Sequence, residues 1–214
     1  MQQNQTSDDQ HLFDLWLKGD PQGFSGLYDK YKNRVFGFLV RMTGDREIAE
    51  DLLQETFLAA LRNADQFDRS RSFLSWLFGI AHKRTIDFFR HAKVETEHKS
   101  DAETAVGSKI DAPDQQLSDQ NLRALINEAV ETLDPLQREV FLLRELGGVP
   151  FKEIAKIMDC PINTALGRMR LALKNIRKEL KKRGIEVAAC RLINPTRHPM
   201  IDEKLLAPIL LSLS

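Results

Sequence analysis

Apolar side chains along this chain recur at steps of three and four, the spacing that lays one stripe down a helix, and alternation at steps of two is scarce. The first long stripe runs through Phe24, Leu27, Tyr28, Tyr31, Val35, Phe38, Leu39 and Met42. Asp20-Pro21 opens it as a cap followed by proline at the first helical position, and Gly44 closes it. Asp45 then caps a helix with the stripe Ile48, Ala49, Leu52, Leu53, Thr56, Phe57, Ala60 and Leu61. After a polar loop over residues 63–71, a third helix is expected from about Ser72 to about His91, carrying Phe73, Trp76, Leu77, Ile80 and Ala81. A short helix is expected around Leu12 to Leu17.

Periodicity lapses from residue 92 to about 117 and resumes with Leu122, Leu125, Ile126, Ala129, Val130 and Leu133. Asp134-Pro135 repeats the capped start, Gly147-Gly148 stops that helix, and Pro150 opens a short one holding Phe151, Ile154, Ala155 and Ile157. Asp159-Cys160-Pro161 makes a tight turn into a last helix with Ala165, Met169, Ala172, Leu173, Ile176 and Leu180 on one side, ended by Gly184. The pattern predicts an all-α protein of two small helical domains joined by a flexible acidic linker, the C-terminal one containing a helix-turn-helix. The expected boundaries are an extension with a short helix over 1–19, a first domain over 20–91, a linker over 92–117, a second domain over 118–184 and a tail over 185–214.

Charge sharpens this division. The chain has 31 basic and 31 acidic side chains, so its net charge is zero. Between Arg168 and Arg183, however, eight residues are basic and only Glu179 is acidic. Between Ala92 and Asn121 there are seven acids against three lysines. A basic end and an acidic middle cancel in the sum. Two cysteines with no framework of paired spacings fit a reducing compartment. The polar start MQQNQTSDDQ is unlike a secretory signal, and no apolar run nears the roughly 18 residues of a membrane span. A cytoplasmic protein without stable membrane insertion is expected.

Three segments carry candidate chemistry. In the helix-turn-helix, Asn163, Leu166, Gly167, Arg170, Lys174 and Arg177 lie opposite the apolar stripe, and Arg168 flanks them. A short helix bracing a longer one, whose first turns enter the major groove, is a DNA-reading arrangement, and long cations on the outer face suit phosphates. A plain helical hairpin with a solvated basic face is the alternative; the steep one-sided basic bias favours DNA. In AEDLLQETFLAAL (49–61), Leu52, Leu53, Thr56 and Phe57 point inward, leaving Glu50, Asp51, Gln54, Glu55 and Leu58 outside. Spacing alone favours a solvated face over a docking face for a basic partner. In SFLSWLFGIAHKRTIDFFRHAK (72–93), aromatics at core spacing are mixed with His82, Lys83, Arg84, Arg90 and His91. Most of these rings belong to a core, yet basic groups beside rings also suit single-stranded nucleic acid. The loop before it, with Asn63, Gln66, Phe67, Asp68 and Arg69, is long enough to hold a base. The five histidines are scattered without metal spacing, and neither a phosphate-binding glycine loop nor a G-x-S-x-G elbow occurs, so neither cofactor, metal nor catalysis is expected.

Taken in order, AEDLLQETFLAAL, SFLSWLFGIAHKRTIDFFR and LDPLQREVFLLRELGGVPFKEIAKIM resemble the extracytoplasmic-function (ECF) sigma factors, the smallest branch of the bacterial sigma-70 family. The resemblance covers about Phe24 to Arg183. It implies a dissociable, non-catalytic specificity subunit of RNA polymerase. The face of Glu50, Asp51, Gln54, Glu55 and Leu58 then resembles the surface that docks on the clamp coiled coil of the polymerase's largest subunit. Asn63, Gln66, Phe67, Asp68 and Arg69, with His82, Lys83, Asp87 and Arg90, match the element that opens the −10 promoter element and holds a flipped non-template base. Lys152, Asn163, Thr164, Leu166, Gly167, Arg168, Arg170 and Lys174 match the reader of the −35 element, which also touches the polymerase flap. The linker would thread towards the RNA exit path, and an anti-sigma protein is implied as a partner. The chain departs from the family where Thr164-Ala165-Leu166-Gly167-Arg168 replaces the usual Thr-Val-Lys-Ser-Arg, where Leu171 stands in place of a common arginine, and where Lys83 replaces an asparagine. The competing readings are a helix-turn-helix regulator that is not a polymerase subunit, and a helical adaptor that binds protein only. The tail reads either as a disordered end or as a regulatory segment whose apolar stretch from Leu205 to Leu213 packs on a domain.

Overall fold

In a computed structural model the described residues, 2–69, 71–97 and 119–184, form eight α-helices and a single 3₁₀ turn, with side chains described for all but 2–7, 93–97 and 119–123. The chain divides into two units, residues 1–109 and 110–214. The tail from 185 onwards, residues 98–117 of the expected linker and residue 118 lie outside the described residues.

The first unit contains α1 (Gln2–Leu17), α2 (Pro21–Thr43), α3 (Arg46–Arg62), the 3₁₀ turn Ala64–Gln66 and α4 (Phe73–Glu97). Each boundary has a chemical cause. The Asp20 carboxylate accepts from the Gln22 amide at 2.9 Å, and Gly44, at φ 72°, returns its N–H to Val40 at 2.8 Å. Asp45 accepts from the amides of Glu47 and Ile48, and the Ser72 hydroxyl accepts from the Ser75 amide at the start of α4. Leu27, Val35, Phe38, Leu39, Ala49, Ala60, Leu77, Phe78 and Ala81 are wholly buried where α2, α3 and α4 meet. Thr56 and Thr85 are buried too, and each donates its hydroxyl one turn back, to Leu52 and Ala81, so neither is left unsatisfied.

Two boundaries differ from the sequence expectation. The helix expected to end near His91 runs to Glu97, because Val94-Glu95-Thr96-Glu97 offers no glycine or proline to stop it even though its apolar periodicity has lapsed. The helix expected over Leu12 to Leu17 starts earlier, at Gln2, and it packs on α2 within the first unit. The contact is unusually close. A Cβ placed on Gly23 would sit 2.2 Å from the Trp16 amide nitrogen and 2.4 Å from the Leu12 carbonyl oxygen. Polar groups reinforce it: Lys30 reaches Asp8 at 3.0 Å and Asp9 at 2.6 Å, and the buried Tyr31 donates its hydroxyl to Asp9. Burial, with the Asp9 hydrogen bond beside it, pushes the Tyr31 phenol well above its ordinary pKa, so it keeps its proton.

The second unit contains α5 (Asp119–Glu131), α6 (Pro135–Glu145), α7 (Phe151–Ile157) and α8 (Ile162–Lys182). Asp134 caps α6 through the Leu136 amide. The core is built from Val130, Leu133, Val140, Leu142, Leu143, Val149, Ile154, Ala165, Met169, Ala172 and Ile176. Arg144 is buried, donates to the Val149 carbonyl at 3.1 Å and lies 5.2 Å from the Phe151 ring centroid. It thereby fixes the loop that aims α7. Between α7 and α8, Asp159 takes a left-handed conformation (φ 45°), which short polar side chains tolerate.

Candidate nucleic-acid interface

Helix α3 separates its residues as the spacing predicts. Leu52, Thr56 and Phe57 are buried, Leu53 is half-buried, and Glu50, Asp51, Gln54, Glu55 and Leu58 are exposed on the other side. Leu58 stands 48% exposed among these polar groups. Glu50 is paired with Arg46 at 3.1 Å; Asp51 and Glu55 have no side-chain partner among the described residues. This surface presents two unneutralised carboxylates beside an apolar side chain.

The loop from 63 to 72 is less open than its composition suggests. The Asn63 amide donates back to Ala59 at 2.7 Å. Phe67 is half-buried, with ring centroids 4.8 Å from Phe13 and 5.1 Å from Trp76. Arg69 pairs with Asp14 of α1 at 2.9 Å and sits 5.9 Å from the Phe13 ring centroid. Gln66 and Asp68 are exposed. On α4, Lys83, Asp87 and Arg90 follow one another along one side at steps of four and three. Arg90 donates to Asp87 at 3.0 Å. His82 is half-buried, and the exposed apolar groups Ile86 and Phe89 interrupt the charges.

In the second unit, Lys152, Asn163, Thr164, Arg170 and Lys174 are exposed, and Leu166, Gly167 and Arg168 are half-buried. The exposed surface of α8 is partly apolar, since Ile162 at its start and Leu171 near its middle are each nearly half exposed. A Cβ on Gly167 would meet nothing within 4 Å, so space does not explain the glycine. Gly167→Ala is therefore expected to raise the stability of the second unit by about 1 kcal/mol, read as a higher denaturation midpoint. An unchanged or lower midpoint would show that Gly167 serves the free fold.

One cavity, of about 210 Å³, lies between α1 and the 67–73 stretch. Sequence reasoning missed the α1 half of its lining, which includes Gln10, Phe13 and Asp14. The available signal was Gly23 and Gly26 at a spacing of three on α2, which marks a helix face open to close approach. Among the described residues, no group of three or more His, Cys, Asp or Glu side chains could hold a metal ion, and no helix is long and apolar enough to cross a membrane.

Comparison with known proteins matches both units. Residues 27–94 fit the family model for sigma-70 region 2, and residues 123–176 fit that for sigma-70 region 4. The chain is 32% identical over 174 residues to the ECF RNA polymerase sigma factor SigW of Bacillus subtilis, covering 77% of this chain and 92% of that protein. It is 32% identical over 170 residues to the RNA polymerase sigma factor CarQ of Myxococcus xanthus, covering 79% and 96%. Among solved structures, the sigma factor RpoE in complex with the anti-sigma factor NepR, from Bartonella quintana, aligns with a TM-score of 0.60 at 22% identity, over 74% of this chain and 96% of that one. CnrH in complex with the cytosolic domain of CnrY aligns at 0.58 and 21%, over 81% and 97%. At these identities the two structures share the fold. Helix α1 falls outside both matched family models.

Proposed function

Because the chain belongs to the sigma-70 family and is an RNA polymerase sigma factor of the ECF type, we propose that it docks on core polymerase through α3 and divides promoter recognition between its two units. The observation that carries this is the presence in one chain, in order, of the region 2 and region 4 models. The exposed side of α3 supports docking on the clamp coiled coil: Asp51 and Glu55 present free carboxylates, Gln54 adds an amide and Leu58 an apolar anchor. Glu50, already held by Arg46, contributes least.

At the −10 element, α4 lines up Lys83 and Arg90 for the strand backbone. His82, Asp87 and the loop residues Asn63, Gln66, Phe67, Asp68 and Arg69 surround a single extruded base. Strand opening needs such a receptor, because an unstacked base must recover its lost stacking elsewhere. At the −35 element, α8 enters the major groove with Asn163 and Thr164 leading. Lys152, Arg168, Arg170 and Lys174 contact phosphates, and Leu166 and Gly167 offer an apolar, closely approaching surface. The same unit touches the polymerase flap. The chain contributes specificity and the polymerase contributes the chemistry, in the cytoplasm where the polymerase works. A protein partner of the anti-sigma kind, as NepR is in the complex with RpoE, holds it inactive.

The test is reconstitution. Core polymerase with the purified chain is expected to initiate at a promoter that core polymerase alone ignores. A protein that neither binds core polymerase nor redirects initiation would end this reading.

A further inference from the structure

The cavity beside α1 has the make-up of a receptor for one planar, polar-edged molecule. Phe13, Phe67 and Phe73 supply ring surface, and Arg69, Asp14 and Gln10 supply polar groups. Its volume of about 210 Å³ lies below the roughly 300–1,000 Å³ of pockets for drug-sized ligands and suits a smaller flat group. Both oxygens of Asp9, which also lines it, are engaged by Lys30 and Tyr31. Asp14 is engaged by Arg69. The side-chain amide of Gln10 is exposed and has no hydrogen-bond partner among the described residues. It is therefore the lining group of α1 with both a donor and an acceptor left to offer.

We infer that α1 forms one wall of the pocket that takes the extruded non-template base, with Gln10 as a specificity-determining residue and Asp14 as a positioning residue for Arg69. This rests on the proposal above that the 63–72 loop receives a base, and adds to it the half of the receptor that the first helix provides. An amide reads a base edge by donating and accepting at once, so Gln10 can distinguish bases by the order of donor and acceptor along that edge. Arg69, drawn towards α1 by Asp14 and lying by the Phe13 ring, brings its guanidinium to the same pocket. Without Asp14 the side chain would be free to leave. The close approach at Gly23 seats α1, one of the two walls, directly on α2.

The experiment uses holoenzyme assembled from core polymerase and the full chain, with promoter bubbles in which each non-template base of the −10 element is replaced in turn by an abasic site. In the wild type, one position is expected to show a loss of affinity on the order of tenfold. In Gln10→Ala holoenzyme the penalty at that position is expected to fall to about threefold, the share that stacking on the rings retains, with penalties elsewhere unchanged, the non-additivity of two groups that share a contact. Asp14→Asn should lower the same penalty without moving the thermal midpoint, and Asp14→Glu should restore it. Wild-type penalties at every position in both Gln10→Ala and Asp14→Asn would overturn the inference and leave the loop's role standing. If no position carries a penalty in the wild type, base capture itself fails, and this inference with it.

Discussion

Reversing two charges at once, Asp51→Arg with Glu55→Arg, is expected to lower affinity for core polymerase on the order of a hundredfold, within the range spanned by charged pairs at protein interfaces. Both side chains are exposed on α3 and have no partner among the described residues, so their loss breaks nothing inside the unit. Arginine is a strong helix former, and the opposite side of α3, with Leu52, Thr56 and Phe57, stays buried as before. The double variant should therefore keep its helical circular dichroism and its thermal midpoint while losing binding. Leu58 separates two causes. Leu58→Ala removes apolar area without touching charge, so a comparable loss there would make docking mainly a matter of apolar burial. Wild-type affinity in the folded double variant would show that the polymerase does not use this side of α3.

The second large effect belongs to Gly23. Its replacement by alanine adds only a methyl group, yet that methyl would lie inside the van der Waals shells of Trp16 N and Leu12 O, both main-chain atoms of α1. Main chain within a helix cannot turn aside as a side-chain tip can, so the helices must separate. The cost is about 3 kcal/mol, at the upper end for overpacking, or a midpoint lower by 10 °C or more for a unit of this size. Trp16, whose ring centroid lies 5.2 Å from Phe24, should become more solvated, shifting its fluorescence to the red. Gly26→Ala is the control. There the atoms met are the methyl groups of Leu12, at 2.8 and 3.3 Å, and a leucine tip can rotate. Equal behaviour of the two variants would mean that α1 rides on α2 without close contact.

These two positions also mark how far the sequence could be read. The face of α3 is legible because α3 pays the local rules in full: Asp45 caps it, its stripe keeps helical spacing, and its outward residues follow by subtraction. The helix-turn-helix is legible for the same reason, with Asp134, Pro135 and Pro150 marking helix starts. Helix α1 is not, because QQNQTSDDQHLFDLWL has few apolar side chains over its first half. What holds it in place is distant in sequence: a missing side chain on Gly23, and the pairs Lys30 with Asp9 and Arg69 with Asp14. For the same reason composition places Phe67 and Arg69 in a polar loop and gives no sign of their partners across the cavity, Phe13 and Asp14. Long-range pairing of this kind leaves no periodicity to detect.

The end of α8 carries a further consequence. Arg183 pairs with Glu128 of α5 and lies 3.8 Å from Glu179, and Lys182 holds Glu179 at 2.9 Å. Two of the eight cations between Arg168 and Arg183 are thus occupied by the unit's own acids. When a protein cation meets a phosphate it releases a condensed counterion, and each such release adds about 0.9 to the logarithmic dependence of affinity on salt. The six remaining cations of this stretch set a ceiling of about 5 on the part of that dependence they contribute, where a count of all eight would give about 7. Glu179 within α8 and Glu128 of α5 would therefore make a grip on DNA by this helix less sensitive to ionic strength than the run of lysines and arginines suggests.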